Sequence, residues 1–209
     1  MRPPRAAPKR DGGRWGLIGG LAFIAALGLA ILLMWPAAGP EESRIPAGPL
    51  IPLPLEPTAR EAFRAAGGVA RAWQPDARPA SLSAQWQPIR GRWPTQSIWT
   101  VLYYAPAAGR MAVVVVEAGQ AWLLQEMPIP YPLPVFTEDR WLVDSPQALK
   151  AWWVAGGADF LARYKNAGVT ARLKPTSMAD PSPVWTITTT AGTQVHTLMI
   201  SGVDGRVLP

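Results

Sequence analysis

The sequence predicts an α+β protein in which one transmembrane helix is followed by two repeated units, each a helix packed on a short antiparallel meander sheet. Three observations carry this. Trp15 to Trp35 is an unbroken apolar run, the landmarks of a helix-then-strands pattern recur at an offset of 86 or 87 positions, and each strand pattern is bounded by a Gly-containing turn.

The apolar run WGLIGGLAFIAALGLAILLMW contains no Asp, Glu, Lys, Arg or His, and none lies anywhere between Arg14 and Glu41. At about 1.5 Å rise per residue, a helix of about 20 residues spans the roughly 30 Å of hydrocarbon in a bilayer. Backbone polar groups inside lipid must find partners within the segment, which selects a helix for such a run. Trp15 and Trp35 stand where aromatic belts lie. Arg2, Arg5, Lys9, Arg10 and Arg14 precede the span against Asp11 alone, and Glu41 and Glu42 follow it. By the positive-inside rule, residues 1–14 are then a cytoplasmic basic arm and the rest lies outside the cytoplasm of a single-pass cell-membrane protein. The competing reading is a signal peptide cut after Ala37, Ala38 or Gly39, although such peptides usually have an apolar region of only about 7–15 residues.

The pI of about 10.2 would suggest a nucleic-acid partner, but the charge is unevenly placed. The basic arm carries a net +4, and residues 37–209 only +2. A basic arm beside a membrane attracts anionic lipid and sets topology. The lipid bilayer is therefore the expected partner of residues 15–35, and nucleic acid is excluded. The chain has no cysteine, so disulfides, thiolate catalysis and Cys-based metal sites are absent.

Residues 36–57 hold Pro36, Pro40, Pro46, Pro49, Pro52, Pro54 and Pro57, which fix φ and remove backbone donors. They predict an extended spacer.

The first repeated unit is assigned to residues 58–126 and the second to 145–209. Thr58 and Glu61 form a capping box before an apolar helical pattern at Ala62, Ala66, Val69 and Trp73. Ser145 followed by Pro146 starts the second helix, with Leu149, Trp152, Trp153, Phe160 and Tyr164 on one broad face. Trp99-Thr100 and Trp185-Thr186 stand 86 positions apart, as do Gly119 and Gly205. Strands are expected at Ala80 to Trp86, around Trp99, at Met111 to Val116, and correspondingly at Val169 to Lys174, around Trp185, and at Val195 to Ile200. Asp204-Gly205 before Arg206-Val207-Leu208 is a hairpin signal, because both turn residues tolerate positive φ. The first unit's strands WTVLYY and MAVVVV are apolar on both faces, which predicts contact with the sister unit, whereas WTITTT alternates with threonine outward. Residues 127–144, with Pro128, Pro130, Pro132 and Pro134, read as a stiff strap between the units.

These pieces resemble the PepSY domain, an extracytoplasmic module with an Ala-rich helix, a strand opening on an aromatic, and a closing acidic-Gly turn. The matching residues are Ala70-Arg71-Ala72-Trp73, Trp99-Thr100-Val101 and Gly119 in one unit, and Ala162-Arg163-Tyr164, Trp185-Thr186-Ile187 and Asp204-Gly205 in the other. Ala118-Gly119 departs from the acidic turn. The resemblance implies a non-enzymatic module, linked in some relatives to restraining peptidases and in others to sensing or binding near the cell envelope. It brings no catalytic residues with it.

No residue pattern predicts an enzyme. His196 is the lone histidine and falls in a strand pattern, so neither a Ser-His-Asp arrangement nor a His-based metal site is expected, and no cofactor is. Asp139 and Asp144, or Glu138 and Asp139, flank a helix start, where acids ordinarily sit. Gly67-Gly68 and Gly156-Gly157 lack the residues of a phosphate loop and predict close helix-to-sheet packing or a bend. Of the eleven tryptophans, Trp73, Trp99, Trp152 and Trp185 have core-facing periods. Trp86, Trp93, Trp122, Trp141 and Trp153 are the candidates for contact with a partner protein. The expected function is a membrane-anchored extracytoplasmic binding or regulatory module acting on another envelope or membrane protein. The alternative is an accessory structural subunit of a larger membrane complex, its span packed through Gly16, Gly19, Gly20, Ala22, Ala26 and Gly28.

Overall fold

The computed structural model describes residues 51–209. The basic arm, the expected transmembrane helix at 15–35 and most of the Pro-rich spacer lie outside the described residues. Among the described residues no helix is long and apolar enough to cross a membrane.

The first helix, α1 (Ala59–Trp73), begins at the Thr58 capping box, in which the Thr58 side chain accepts from Glu61 N and the Glu61 side chain accepts from Thr58 N. Ala59, Ala62, Ala66 and Ala70 form its buried stripe, at the three- and four-residue spacing of one helix face. Such small side chains let the helix lie close on the strands beneath. Four strands follow, β1 (Arg78–Trp86), β2 (Trp99–Ala105), β3 (Arg110–Glu117) and β4 (Gln120–Pro128). After a single 3-10 turn at Glu138–Arg140 come α2 (Ser145–Trp152), a π-helical turn (Trp153–Gly157) and α3 (Ala158–Arg163). The strands β5 (Gly168–Pro175), β6 (Pro183–Ala191), β7 (Gln194–Ser201) and the two-residue β8 (Val207–Leu208) complete the chain.

The expected pair of separate meander sheets is corrected. All eight strands form one antiparallel sheet in the order β4-β3-β2-β1-β5-β6-β7-β8, and the fold is mostly sheet. The join is β1 against β5, in register from Leu82↔Leu173 to Trp86↔Val169. Two separate meanders would have left both of these strands as open edges, with unpaired N–H and C=O groups along a nine- and an eight-residue strand. Pairing them satisfies both edges. The two halves accordingly meet edge to edge through β1 and β5, and not through the faces of the apolar strands β2 and β3, for which the sequence predicts contact with the sister unit.

Register assigns the faces. Leu82 lies opposite both Val101 and Leu173, and Leu173 lies opposite Trp185, so one face runs continuously through both halves. The helices cover that face, and the core gathers on it. An edge-to-face aromatic row crosses the β1/β5 seam there: Trp86–Trp99 at 6.1 Å between centroids, Trp99–Trp185 at 6.2 Å and Trp185–Trp141 at 6.3 Å. Such pairs contribute about 0.5–1.5 kcal/mol each beyond their burial.

The Trp-Thr recurrence has a hydrogen-bonding cause. Trp99 Nε1 donates to Pro57 O at 2.7 Å, and Trp185 Nε1 donates to Val143 O at 2.8 Å. Each indole thereby holds the carbonyl two residues before a helix start, spanning 42 positions in both cases.

The second helix departs from the continuous face expected of it. Ala155 (φ −85°, ψ 23°) and Gly156 (φ 113°) leave helical geometry, and the chain re-enters a helix at Ala158. Gly156 sits at the φ only glycine adopts freely, and a Cβ on Gly157 would collide with the Trp152 ring. This pair therefore makes both the bend and the close approach. Gly67 and Gly68 do neither: they lie in regular helix, and a Cβ on Gly68 would meet nothing within 4 Å.

Candidate functional site

The second sheet face carries no helix among the described residues, and its two halves differ in chemistry. Cross-strand pairs place Leu102 with Val113, Thr100 with Val115, and Val115 with Trp122 on it. Across β5 to β7 the same face presents Thr170, Arg172 and Lys174, then Thr186 and Thr188 opposite Met199 and Thr197. The apolar half is thus left open to solvent at its β4 side, because the sister half extends the sheet sideways and does not cover it.

The sheet's two outer strands are also unequal. β8 contributes two residues, whereas β4 contributes nine and pairs on one side only, with β3. Long unpaired edges are templates for added strands, and proteins ordinarily blunt them with charge, proline or bulges. β4 has a bulge where Leu123 and Gln125 lie opposite Val114 and Val113, which leaves Leu124 as the extra residue. Leu124 is 57% exposed, and its neighbours Trp122 and Leu123 are 40% and 39% exposed. Three consecutive large apolar side chains therefore stand at an unpaired edge beside an apolar face. The C-terminal part of β4 is pinned from the helix side, where Glu126 accepts from Trp73 Nε1 and pairs with Arg110 at 3.0 Å.

Of the five tryptophans singled out in the sequence, only Trp122 is exposed at this edge. Trp86 and Trp141 are corrected to core residues, 1% and 0% exposed, and present no surface to a partner. Trp86 Nε1 donates to Ser97 Oγ at 3.1 Å, and Trp141 Nε1 donates to Val143 O at 2.6 Å. Trp93 and Trp153 are half-buried against the core, Trp153 beside Trp152 at 5.9 Å between centroids. The five are not brought together. Leu123 and Leu124 escaped sequence reasoning, because inside QAWLLQEMP they look like ordinary strand filling and only pairing shows that β4 is an edge.

His196 lies on the helix-covered face, opposite Thr189, with its ring stacked on Phe160 at 6.0 Å between centroids. Among the described residues no group of three or more His, Cys, Asp or Glu is placed to hold a metal ion. Glu138 and Asp139 lie in the 3-10 turn, and Asp144 is the N-cap of α2. Hydrogen bonding from the Thr137 side chain holds the Asp139 carboxyl below its ordinary value.

No protein-family model matches the chain, and no curated protein matches it. Among solved structures it is similar to a candidate lipoprotein from Clostridium difficile 630, with 11% identity and a TM-score of 0.48 over 71% of this chain and 90% of that one.

Proposed function

We propose that this protein is a membrane-anchored, extracytoplasmic binding module that docks an extended segment of another envelope protein along β4. The observation that carries the proposal is the exposed Trp122-Leu123-Leu124 run on an unpaired nine-residue edge strand. An added strand would complete the free N–H and C=O groups of β4, and its alternate side chains would extend the apolar half-face of Val113, Val115 and Trp122. Strand addition of this kind draws affinity from main-chain hydrogen bonds and specificity from alternate side chains. Anchorage and orientation are supported by the uncharged run at 15–35 and the basic arm before it. The order of a helical segment and then antiparallel strands, present in each half of the single sheet, supports a PepSY-like reading, in which regulation works by binding and not by catalysis.

The test is affinity capture of the full-length protein from its native membranes, comparing wild type with Trp122→Ala and Leu124→Arg. The expected result is one co-purifying membrane or envelope protein, lost from both variants while their melting temperatures stay unchanged. Equal recovery from wild type and variants would overturn the edge as the docking site. Self-association through two β4 edges would appear instead as a dimer that Leu124→Arg dissociates.

A further inference from the structure

A cleft of about 390 Å³ opens between α1 and the sheet, away from the β4 edge. Its α1 wall follows from helical periodicity, since Arg64, Gly67 and Arg71 stand at three- and four-residue steps on one stripe, flanked by Phe63 and Ala70. Tyr103 from β2 and Glu138 from the 3-10 turn also line it. Tyr103 is 3% exposed, and its hydroxyl has no hydrogen-bond partner. Buried hydroxyls are almost always hydrogen-bonded, and the Tyr103 hydroxyl, beneath the cleft surface, finds no partner within the protein. Burial pushes the Tyr103 phenol well above its ordinary value, Arg71 pulls it partly back and Glu138 raises it further. The phenol therefore stays protonated and can donate.

The cationic groups at this cleft are also uncommitted. Among the described residues neither Arg64 nor Arg71 forms an ion pair, as is true of every described Arg and Lys other than Arg110 and Arg206. Two guanidiniums against one carboxylate leave the cleft a net positive charge, and guanidinium forks match carboxylates in bidentate geometry. Phe63, Ala70 and Ala77 supply the apolar wall. Gly67 keeps the middle of the stripe open: a Cβ there would approach only the mobile end of Arg71, at 3.4 Å.

We infer that this cleft is a binding site for a small carboxylate with an apolar body, its carboxylate held by Arg71 and Arg64 and bonded by the Tyr103 hydroxyl. The lining is divided about evenly between polar and apolar surface, and the volume is in the range of small-molecule sites. The site is independent of the β4 edge and goes beyond it.

The test is calorimetric titration of the full-length protein in detergent micelles with 4-methylpentanoate, its neutral amide, isopentylamine and inorganic phosphate. Only the carboxylate with its apolar body is expected to bind. Arg71→Ala should weaken it roughly tenfold or more, the equilibrium factor for losing one charged hydrogen bond. Gly67→Leu should block it by filling the cleft. Tyr103→Phe removes an unpartnered hydroxyl, so it should fold at least as stably as wild type while binding more weakly. Equal binding of amide and carboxylate, equal binding of phosphate, or unchanged affinity in both Arg71→Ala and Tyr103→Phe would each overturn the inference. Trp122→Ala and Leu124→Arg should leave this titration unchanged, so failure of the docking edge and failure of this site read out separately.

Discussion

Ser145 Oγ accepts a hydrogen bond from Ala59 N at 2.9 Å, in a buried contact that spans 86 positions. The first residue of α2 thus caps the first residue of α1. Asp144 reinforces the junction, because its Oδ1 accepts from its own neighbour Ser145 N at 2.7 Å and from Arg60 N at 3.1 Å. Arg60 in turn donates to Trp141 O and lies over the Trp141 ring at 5.1 Å. The two helix starts meet, and the start of α2 satisfies orphan N–H groups at the start of α1.

Ser145→Ala should therefore destabilise the whole domain, although the serine belongs to neither the core nor the first helix. Loss of a cap and an orphaned buried N–H together cost about 1–2 kcal/mol. Thr58→Ala, which removes the local and more exposed capping box, should cost less, about 0.5–1 kcal/mol. Urea denaturation of both variants checks the order, and a reversed order would show that the cross-helix cap is incidental.

Replacing the paired tryptophans should not give symmetrical results. Val143 O accepts from both Trp141 and Trp185, whereas Trp99 is the side-chain donor to Pro57 O. Trp99→Phe should then be more destabilising than Trp185→Phe by about 1 kcal/mol, the cost of leaving one buried acceptor unmet. Equal losses in denaturation would count against this assignment.

Two glycines in the helices should respond with opposite sign. Gly68→Ala places a Cβ in open space within regular helix and should stabilise by about 0.5–1 kcal/mol. Gly157→Ala drives a Cβ into the buried Trp152 ring and should destabilise by about 1–3 kcal/mol, as overpacking does. Thermal melts of the two variants distinguish a structural bend from a dispensable glycine.

At the β3–β4 turn Ala118 holds φ 49°, a left-handed conformation that costs an alanine about 1–2 kcal/mol. Ala118→Asn should recover roughly half of that, since asparagine tolerates this region and Asn-Gly is the favoured hairpin pair. A melting temperature that does not rise would show that the turn is held by other contacts.

Near the C-terminus, the Ser201 side chain and the Arg206 backbone N–H hold the Asp204 carboxyl below the ordinary 3.8. A depressed folded-state value means the stabilisation is present above the unfolded pKa and is lost as pH falls through the folded one. Carboxyl NMR titration should place the Asp204 midpoint below 3.8, with Val207 and Leu208 shifts following it. A midpoint at or above 3.8 would rule the hydrogen bonds out as the cause.

Much of the local order was legible because it is written in short-range patterns. The Thr58/Glu61 box, the Ser145-Pro146 start, the Asp204-Gly205 turn and the alternation after Trp185 each involve neighbours within one or two turns, where backbone chemistry decides. Two residues misled for a related reason. Trp86 and Trp141 sit next to loop-like sequence, but loops that fold back over a core carry buried side chains, and proximity to proline says nothing about which way an indole points.

By itself the sequence determined that the landmarks of two helix-and-strands segments recur at a spacing of 86 or 87. Only the tertiary structure decided that they share one sheet, because edge pairing between β1 and β5 depends on which strands end up unpaired and not on any residue in them. The same holds for the β4 edge and for the cleft beside α1. An edge at β4 and an orphan hydroxyl at Tyr103 are properties of what is missing alongside a residue, and a sequence records only what is present.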